Sequence, residues 1–267
     1  MDERQRSGLQ EVMEGAIVFG VPMDRMTTYR VGGKAEAVCY PGNLNALCAL
    51  MAYLNREGIP WIVVGKGSNI LVGDGGLKGV VIVLKGNLAS VEEIGDGEPI
   101  LLAGGGLTIA GLLGWCRRNE LAGLEFMAGI PGTLGGAVFM NAGAYGQEIG
   151  NIVIEALIVR PDGAIGSASA GDIRFSYRSS SIPGGTVIYG AKLRMKRGER
   201  RRIVEALASN LRRKKATQPL NYPSAGSVFK NPPGDYAGRL IDAAGLKGTR
   251  LGGAMISMRH GNFIVNT

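Results

Sequence analysis

Residues 123–146 read GLEFMAGIPGTLGGAVFMNAGAYG, and this stretch decides the fold. Apolar residues separate its glycines and Pro131, whereas a flexible linker is polar and rich in serine. The pattern therefore predicts an ordered, buried backbone. The side chains that we expect to be buried are Phe126, Met127, Ile130, Leu134, Val138, Phe139 and Met140.

A backbone from which side chains are absent at selected points suits a ligand site. A flat or phosphorylated ligand can approach main-chain N–H groups where glycine leaves room. A run of tight turns between buried strands accounts for the glycines equally well. Two polar residues inside the apolar stretch, Thr133 and Asn141, favour the ligand.

The composition predicts a sizeable core. The chain has 267 residues, 45% of them apolar, which suits one large domain or two to three small ones. A net charge of +8 favours anionic partners, although not nucleic acid in particular. The densest basic run, residues 196–215, lacks the interleaved aromatic residues of a single-strand binding platform. We expect a solvated helix face, or a basic rim over a pocket for nucleotide phosphates, and no nucleic-acid partner.

The cysteines and the first residues bear on the cellular compartment. Cys39, Cys48 and Cys116 are far apart and show no CxxC spacing, so we expect buried thiols and no metal site. The first ten residues contain no apolar run of a signal peptide, and no apolar stretch is long enough to span a membrane. We expect a cytoplasmic protein without a membrane partner. The oligomeric state is not predicted.

Hydrophobic periodicity predicts an α+β chain. We expect helices over residues 1–20, 43–57, 107–119, 199–215 and 235–244. We expect strands over residues 36–40, 60–64, 77–84, 100–103, 152–160 and 187–196, with short strands near 256 and over 263–265. The strands over 60–64 and 77–84 should be buried, because their apolar residues are consecutive. A first region, residues 1–197 with two subdomains split near 85, precedes a smaller domain, residues 198–267.

Four polar motifs lie in apolar surroundings. The first, GKGSN at 65–69, follows a predicted strand and suits pyrophosphate binding, without the spacing of a Walker loop. The second, 130–136, lies inside the glycine-rich stretch. The third places Arg178 beside Tyr177, which suits a carboxylate ligand, although the residues alone favour a structural ion pair between the loop arginine and a neighbouring aspartate. The fourth holds Ser227, and a catalytic triad would require the only histidine, His260, to approach it.

Seven motifs in order resemble the UDP-N-acetylmuramate dehydrogenase family, also called UDP-N-acetylenolpyruvoylglucosamine reductase. They are TTYRVGG (27–33), VGKGSNILVGDGGLKGVVI (64–82), GLEFMAGIPGTLGGAVFMNAGAYG (123–146), FSYRSS (175–180), SAGSVFKNP (224–232), AGRLIDAAGLKG (237–248) and GGAMISMRHGNFIVN (252–266). Each motif is weak alone, but the ordered set is highly specific. The resemblance implies an FAD-binding domain of the vanillyl-alcohol-oxidase and p-cresol-methylhydroxylase type plus a smaller α+β substrate-binding domain, in the shorter subclass of the family.

The resemblance also implies an activity. The family uses NADPH and non-covalent FAD to reduce UDP-N-acetylglucosamine enolpyruvate to UDP-N-acetylmuramate, in bacterial peptidoglycan precursor synthesis. Flavin N5 gives a hydride to C3 of the enolpyruvyl group, and a serine protonates C2. By motif position that serine is Ser227, and Arg178 stabilises the developing negative charge. A different FAD oxidase of the same superfamily is disfavoured, because such enzymes often tether the flavin through His or Cys, and neither falls in the flavin segments.

Ligand contacts follow from the same motif positions. The implied flavin contacts are Gly65, Lys66, Gly67, Ser68, Asn69, Ile70, Leu71, Ile130, Pro131, Gly132, Thr133, Gly135, Gly136, Asn141, Gly143, Ala144 and Gly146. The implied substrate contacts are Tyr177, Arg213, Lys215, Lys230, Asn231 and His260. The family's third catalytic group, a glutamate beyond NFIVN, has no counterpart in a sequence that ends at Thr267. We therefore expect a C-terminal domain that is cut short, and the alternative function is a non-catalytic or truncated flavin and UDP-sugar binding relative.

Overall fold

The computed structural model describes residues 1–95 and 97–267. Its α-helices are α1 Glu3–Val12, α2 Leu44–Arg56, α3 Ile109–Arg118, α4 Leu134–Phe139, α5 Arg200–Thr217 and α6 Ala237–Ala243. Its strands are β1 Gly15–Pro22, β2 Lys34–Pro41, β3 Trp61–Val63, β4 Leu77–Ile82, β5 Val91–Ile94, β6 Ile100–Gly104, β7 Leu121–Ala122, β8 Gly143–Ala144, β9 Gln147–Glu148, β10 Val153–Val159, β11 Ile165–Ser169, β12 Phe175–Ser176, β13 Ser179–Ser180, β14 Val187–Arg194, β15 Lys196–Arg197, β16 Arg250–Leu251, β17 Ala254–Ile256 and β18 Ile264–Asn266.

The first sheet has four strands in the order β1-β2-β4-β3. β1 runs antiparallel to β2, whereas β4 is parallel to both β2 and β3. Helix α2 begins after Asn43, whose side-chain oxygen accepts a hydrogen bond from the Ala46 amide at 2.9 Å. Its fully buried Leu47, Leu50 and Leu54 pack into the core of this sheet.

The second sheet has five antiparallel strands in the order β11-β10-β14-β6-β5. Helices α3 and α4 contribute Leu112 and Leu134 to its core, where Leu101 and Leu193 are also fully buried. Helix α4 lies against β14 so closely that a Cβ on Gly135 would come within 2.8 Å of the Ile188 carbonyl oxygen. The glycine-rich stretch therefore packs on the sheet through its backbone.

The residues after β15 form helix α5 and a small unit in which β16, β17 and β18 make a three-stranded sheet beside α6. Asn266 in β18 ties this unit to the part of the chain built on the first sheet, residues 1–84, which we call the first lobe. Its side-chain amide donates to the carbonyl of Tyr29, which lies between β1 and β2, at 2.9 Å. The division at residues 197/198 stays a prediction. No helix in the described residues is long and apolar enough to cross a membrane.

Most predicted elements occur with shifted ends, but the single helix over residues 1–20 is wrong. Asp2 caps a shorter helix, accepting from the Gln5 amide at 2.7 Å, and a strand follows. That strand is β1, which pairs along its length with β2. Local periodicity could not reveal this pairing partner, because it lies about twenty residues further along the chain.

Some residues predicted to be buried are exposed. Ile62 and Val63 of β3 are 38% and 36% exposed, and Phe139 is 42% exposed. Ile130 and Met140 are half-buried. Cys48 is also only half-buried, whereas Cys39 and Cys116 are buried, and burial raises the pKa of each of these two thiols to about 12.

Candidate active site

A cavity of about 680 Å³ lies between the first and second sheets. The exposed side chains of β3 and α4, Ile62, Val63 and Phe139, form part of its wall. These three residues are exposed because they face this cavity. A large apolar cavity with a few polar groups is the usual form of a cofactor site.

Glycine backbone forms much of the remaining wall. Gly105 and Gly106 follow β6, and Gly135 and Gly136 lie in α4. A Cβ on Gly105 would collide with the Ile188 carbonyl oxygen. Only glycine therefore lets the main chain come this close to the sheet and still border the cavity.

The two glycine motifs predicted to bind flavin are in contact. The Ser68 hydroxyl donates to the Pro131 carbonyl at 2.9 Å, and a Cβ on Gly65 would collide with the Thr133 side chain. Gly65 and Thr133 both line the cavity. The structure thus brings together residues that lie more than sixty positions apart in sequence.

Other predicted flavin contacts lie elsewhere. Gly67 is buried, and its carbonyl accepts from the Thr28 amide at 3.1 Å. Ile70 packs into a small core cluster, and Leu71 is 72% exposed. The predicted flavin contacts that do not line the cavity are Lys66, Gly67, Ser68, Asn69, Ile70, Leu71, Ile130, Pro131, Gly132, Asn141, Gly143, Ala144 and Gly146.

Asn141, another predicted flavin contact, is hydrogen-bonded inside the protein. It has no exposed surface, and both ends of its side-chain amide bind backbone groups. Its Nδ2 donates to the Ser176 carbonyl at 3.0 Å, and its Oδ1 accepts from the Gly150 amide at 3.1 Å. The side chain therefore has a structural role here, and its contact with a flavin stays a prediction.

Arg178 lies in the tight connection between β12 and β13, next to the cavity wall. Its backbone is left-handed, with φ of 58°, and its Nη2 donates to the Gly143 carbonyl at 3.0 Å. Its guanidinium also lies 5.3 Å from the centre of the Tyr177 ring. The Ser180 hydroxyl donates to the Phe139 carbonyl at 2.8 Å, which joins this connection to the cavity. Among the described residues no carboxylate pairs with Arg178, so the structural ion pair is absent there.

A second cation, Lys214, lies near Arg178 and was not predicted. It is only 7% exposed, and no carboxylate in the described parts of the chain pairs with it. Burial and the neighbouring charge of Arg178 lower the pKa of Lys214 to about 8. Two cations side by side without a carboxylate are an arrangement that favours an anionic ligand.

The two basic residues predicted on α5 lie on other faces of that helix. The Arg213 guanidinium is 4.5 Å from the centre of the Tyr145 ring, and Lys215 is exposed. Helical spacing could have identified Lys214, because Ile203, Leu207 and Lys214 repeat at intervals of four and seven on one face.

The segment that carries Ser227 is exposed, and hydrogen bonds to Asn262 hold its backbone in place. The Val228 amide donates to the Asn262 carbonyl at 3.0 Å. The Asn262 side chain accepts from the Phe229 amide and donates to the Phe229 carbonyl, both at 2.8 Å. Ser227 itself remains accessible to a ligand.

The predicted substrate contacts on this unit differ in their accessibility. Lys230 is exposed. Asn231 accepts from the Ala237 amide at 3.1 Å, and this bond helps to begin α6. His260 is half-buried, its Nδ1 accepts from the Asn262 amide at 3.2 Å, and burial lowers its pKa. No hydrogen bond joins His260 to Ser227 in the described residues, so the structure does not assemble a catalytic triad.

Comparison with known proteins identifies the fold. A family model described as an FAD binding domain matches residues 35–169. A VAO-type flavoprotein from Myceliophthora thermophila superposes with a TM-score of 0.55 at 14% identity, covering 74% of this chain and 48% of that one. The chain is thus an α+β protein with an FAD-binding domain of the vanillyl-alcohol-oxidase type, as predicted.

Further comparisons specify the family. A model described as the C-terminal domain of UDP-N-acetylenolpyruvoylglucosamine reductase matches residues 218–267. The reductase of that name from Bacillus licheniformis is 41% identical over 97% of this chain and 85% of its own length. A second reductase so named, from Symbiobacterium thermophilum, is 41% identical over all of this chain and 85% of its own length. The crystal structure of the Thermus caldophilus reductase superposes with a TM-score of 0.80 at 37% identity, covering 95% of this chain and 88% of that one.

The chain belongs to the UDP-N-acetylenolpyruvoylglucosamine reductase family. The resemblance inferred from the seven motifs is therefore confirmed. Identity at this level along the whole chain does not favour the alternative of a non-catalytic relative.

Proposed function

We propose that this chain reduces UDP-N-acetylglucosamine enolpyruvate to UDP-N-acetylmuramate, with NADPH as reductant and FAD as bound cofactor, in the bacterial cytoplasm. The observation that carries the proposal is the pair of cations, Arg178 and Lys214, in a chain of this family, where a hydrogen bond joins the β12–β13 connection of Arg178 to the wall of a glycine-lined cavity. The substrate carries a carboxylate and a diphosphate, and both groups call for fixed positive charge.

The cavity fits a large flat cofactor. Its wall offers apolar side chains on one side and glycine backbone on the other, where a side chain would collide with the sheet. Gly65, Thr133, Gly135 and Gly136 would hold FAD there, with the remaining predicted flavin segments beside them. When bound, FAD supplies the transfer of a hydride from NADPH to the enolpyruvyl double bond.

Arg178 binds the substrate carboxylate and stabilises the negative charge that develops next to it. Hydride addition at C3 leaves charge on C2, which is conjugated to the carboxylate. A fixed guanidinium stabilises that charge most effectively where water is excluded. The stacking on Tyr177 and the bond to Gly143 keep the guanidinium in place before the substrate arrives.

Ser227 donates the proton that C2 takes up. A serine hydroxyl is a weak acid, but it is strong enough for a carbanion, so no lowered pKa is required. Its position on an accessible loop lets the substrate reach the hydroxyl. In this proposal Lys230, Asn231 and His260 border the same substrate.

Lys214 neutralises the substrate diphosphate or carboxylate together with Arg178. Arg213 and Lys215 on the same helix add to the positive field. The domain division at 197/198 belongs to this proposal too, since the serine would then act from the second domain on a substrate bound over the first.

An anaerobic absorption experiment tests the proposal. We expect NADPH to bleach the flavin of the purified protein, and UDP-N-acetylglucosamine enolpyruvate to restore its colour. NADH serves as the comparison that tests preference for NADPH. A flavin that bleaches but does not recover would refute turnover and support a binding role, and a protein unable to take up FAD would refute the cofactor assignment.

A further inference from the structure

Two asparagines in the described parts of the chain are buried, and each binds backbone next to one of the two proposed catalytic residues. Asn262 is 3% exposed and contacts the segment after Ser227. Asn141 has no exposed surface and contacts the segment before Arg178. In both cases the side-chain amide uses its oxygen as acceptor and its nitrogen as donor.

Asn262 holds two consecutive residues. Its side chain satisfies both the amide and the carbonyl of Phe229, in the manner of a neighbouring β-strand, and its own carbonyl binds the Val228 amide. The residue before the serine, Gly226, has φ of 83° and no heavy atom near its missing Cβ. The backbone is therefore hydrogen-bonded directly after Ser227, and before it Gly226 makes a left-handed turn that faces open space.

Asn141 fixes a strained backbone. The Ser176 carbonyl that it binds lies two residues before Arg178, whose left-handed φ is unusual for a residue with a side chain. Such a conformation persists only where the surroundings determine it. The other end of the amide binds Gly150, where an added Cβ would come 2.6 Å from the Phe175 ring.

We propose that Asn262 and Asn141 are positioning residues, which hold Ser227 and Arg178 where they act on the substrate. The inference rests on the proposed function. A proton donor must lie within hydrogen-bonding reach of its acceptor. A misplacement of 1 Å costs on the order of 100-fold in rate. One buried asparagine fixes the backbone beside each of the two residues, Asn262 beside Ser227 and Asn141 beside Arg178.

The test separates the two half-reactions of the flavin in the holoprotein. The Asn262→Ala variant should reoxidise with UDP-N-acetylglucosamine enolpyruvate about 100-fold more slowly, while NADPH reduces it at close to the wild-type rate. Its solvent deuterium isotope effect should increase, because proton donation becomes slower. Asn141→Ala should slow reoxidation similarly and weaken substrate binding. A matched control is Asn43→Ala, which removes one amide–backbone bond in the first lobe and should affect neither rate.

The Asn262→Asp variant covers the case in which the alanine variant loses flavin. It keeps the acceptor for the Phe229 amide, but it places a second oxygen against the Phe229 carbonyl, so reoxidation should again fall selectively. Reoxidation at the wild-type rate, or a parallel loss of both half-reactions in the two Asn262 variants, would overturn the inference. A wild-type protein that does not reoxidise would instead overturn the proposed function.

Discussion

Replacing Lys214 with methionine is expected to make the substrate-free protein more stable and its substrate binding weaker. The side chain is almost fully buried, and its ammonium has no carboxylate partner among the described residues. Burial of an unpaired charge is costly, whereas methionine fills a similar volume without charge. Methionine also leaves the substrate anion without this cation.

The size of the stability gain follows from the lowered pKa. Burial and Arg178 move the pKa of Lys214 from 10.5 to about 8, and one unit corresponds to about 1.4 kcal/mol. The charged ammonium therefore costs the folded state about 3 kcal/mol at pH 7. Removing it should also weaken substrate binding about 10- to 100-fold, the usual range for a hydrogen bond to a charged group.

The pH dependence gives the sharpest test. Below pH 8 the Lys214 ammonium is charged in both the folded and the unfolded chain. The Lys214→Met variant therefore exceeds the wild type in stability by the full amount in this range. Between pH 8 and 10.5 only the unfolded chain keeps the Lys214 proton, so the free energy of unfolding of the wild type increases as pH rises. The stability difference between the variant and the wild type therefore decreases towards zero. Urea unfolding of the substrate-free holoprotein at several pH values measures this difference.

Arg212→Met is the matched control, because Arg212 is exposed on the same helix. An exposed substitution of this kind should change the free energy of unfolding by less than about 0.5 kcal/mol. A Lys214→Met variant no more stable than this control at pH 7, or one whose advantage persists above pH 10.5, would refute the reasoning.

Three shorter predictions concern the backbone, the proton donor and the thiols. Gly135→Ala should lower the free energy of unfolding by about 1–3 kcal/mol and reduce flavin content, because its Cβ meets the main chain of β14. Gly171→Ala should do neither, because its Cβ would make only an ordinary contact with the Ser169 hydroxyl, at 3.7 Å. Ser227→Ala should slow flavin reoxidation by substrate about 10²- to 10⁴-fold while reduction by NADPH continues, and equal loss of both would contradict its role. Cys39 and Cys116, whose pKa burial raises to about 12, should react with a thiol reagent at pH 8 only after denaturation, and rapid reaction of the native protein would contradict their burial.

Local sequence patterns predicted those elements that short-range forces determine. The helix over α2 follows from its apolar spacing and its Asn43 cap, and β4 and β10 follow from short apolar runs. β1 was missed because its identity depends on pairing with β2. Such a partner adds no signal within the strand itself.

The site was predicted at the level of segments and less well at the level of side chains. The glycine motifs do meet, and four of their members line the cavity, namely Gly65, Thr133, Gly135 and Gly136. Asn141 was interpreted as a ligand contact because a polar residue in an apolar stretch suits a ligand and a structural bond equally. Its bond to Ser176, 35 residues away, is a structural role that no local pattern indicates.

Two features of the proposed site lower the stability of the folded chain. Lys214 is a buried charge without a carboxylate partner among the described residues, and Arg178 requires a left-handed backbone. Neither feature benefits the folded chain. The two buried asparagines have every amide hydrogen-bonding end engaged, and they offset this cost by fixing the backbone around the site. A site built for an anionic ligand should be stabilised by that ligand. Substrate binding should therefore raise the free energy of unfolding of the wild type more than that of the Lys214→Met variant, because only the wild type has a buried charge for the substrate anion to neutralise.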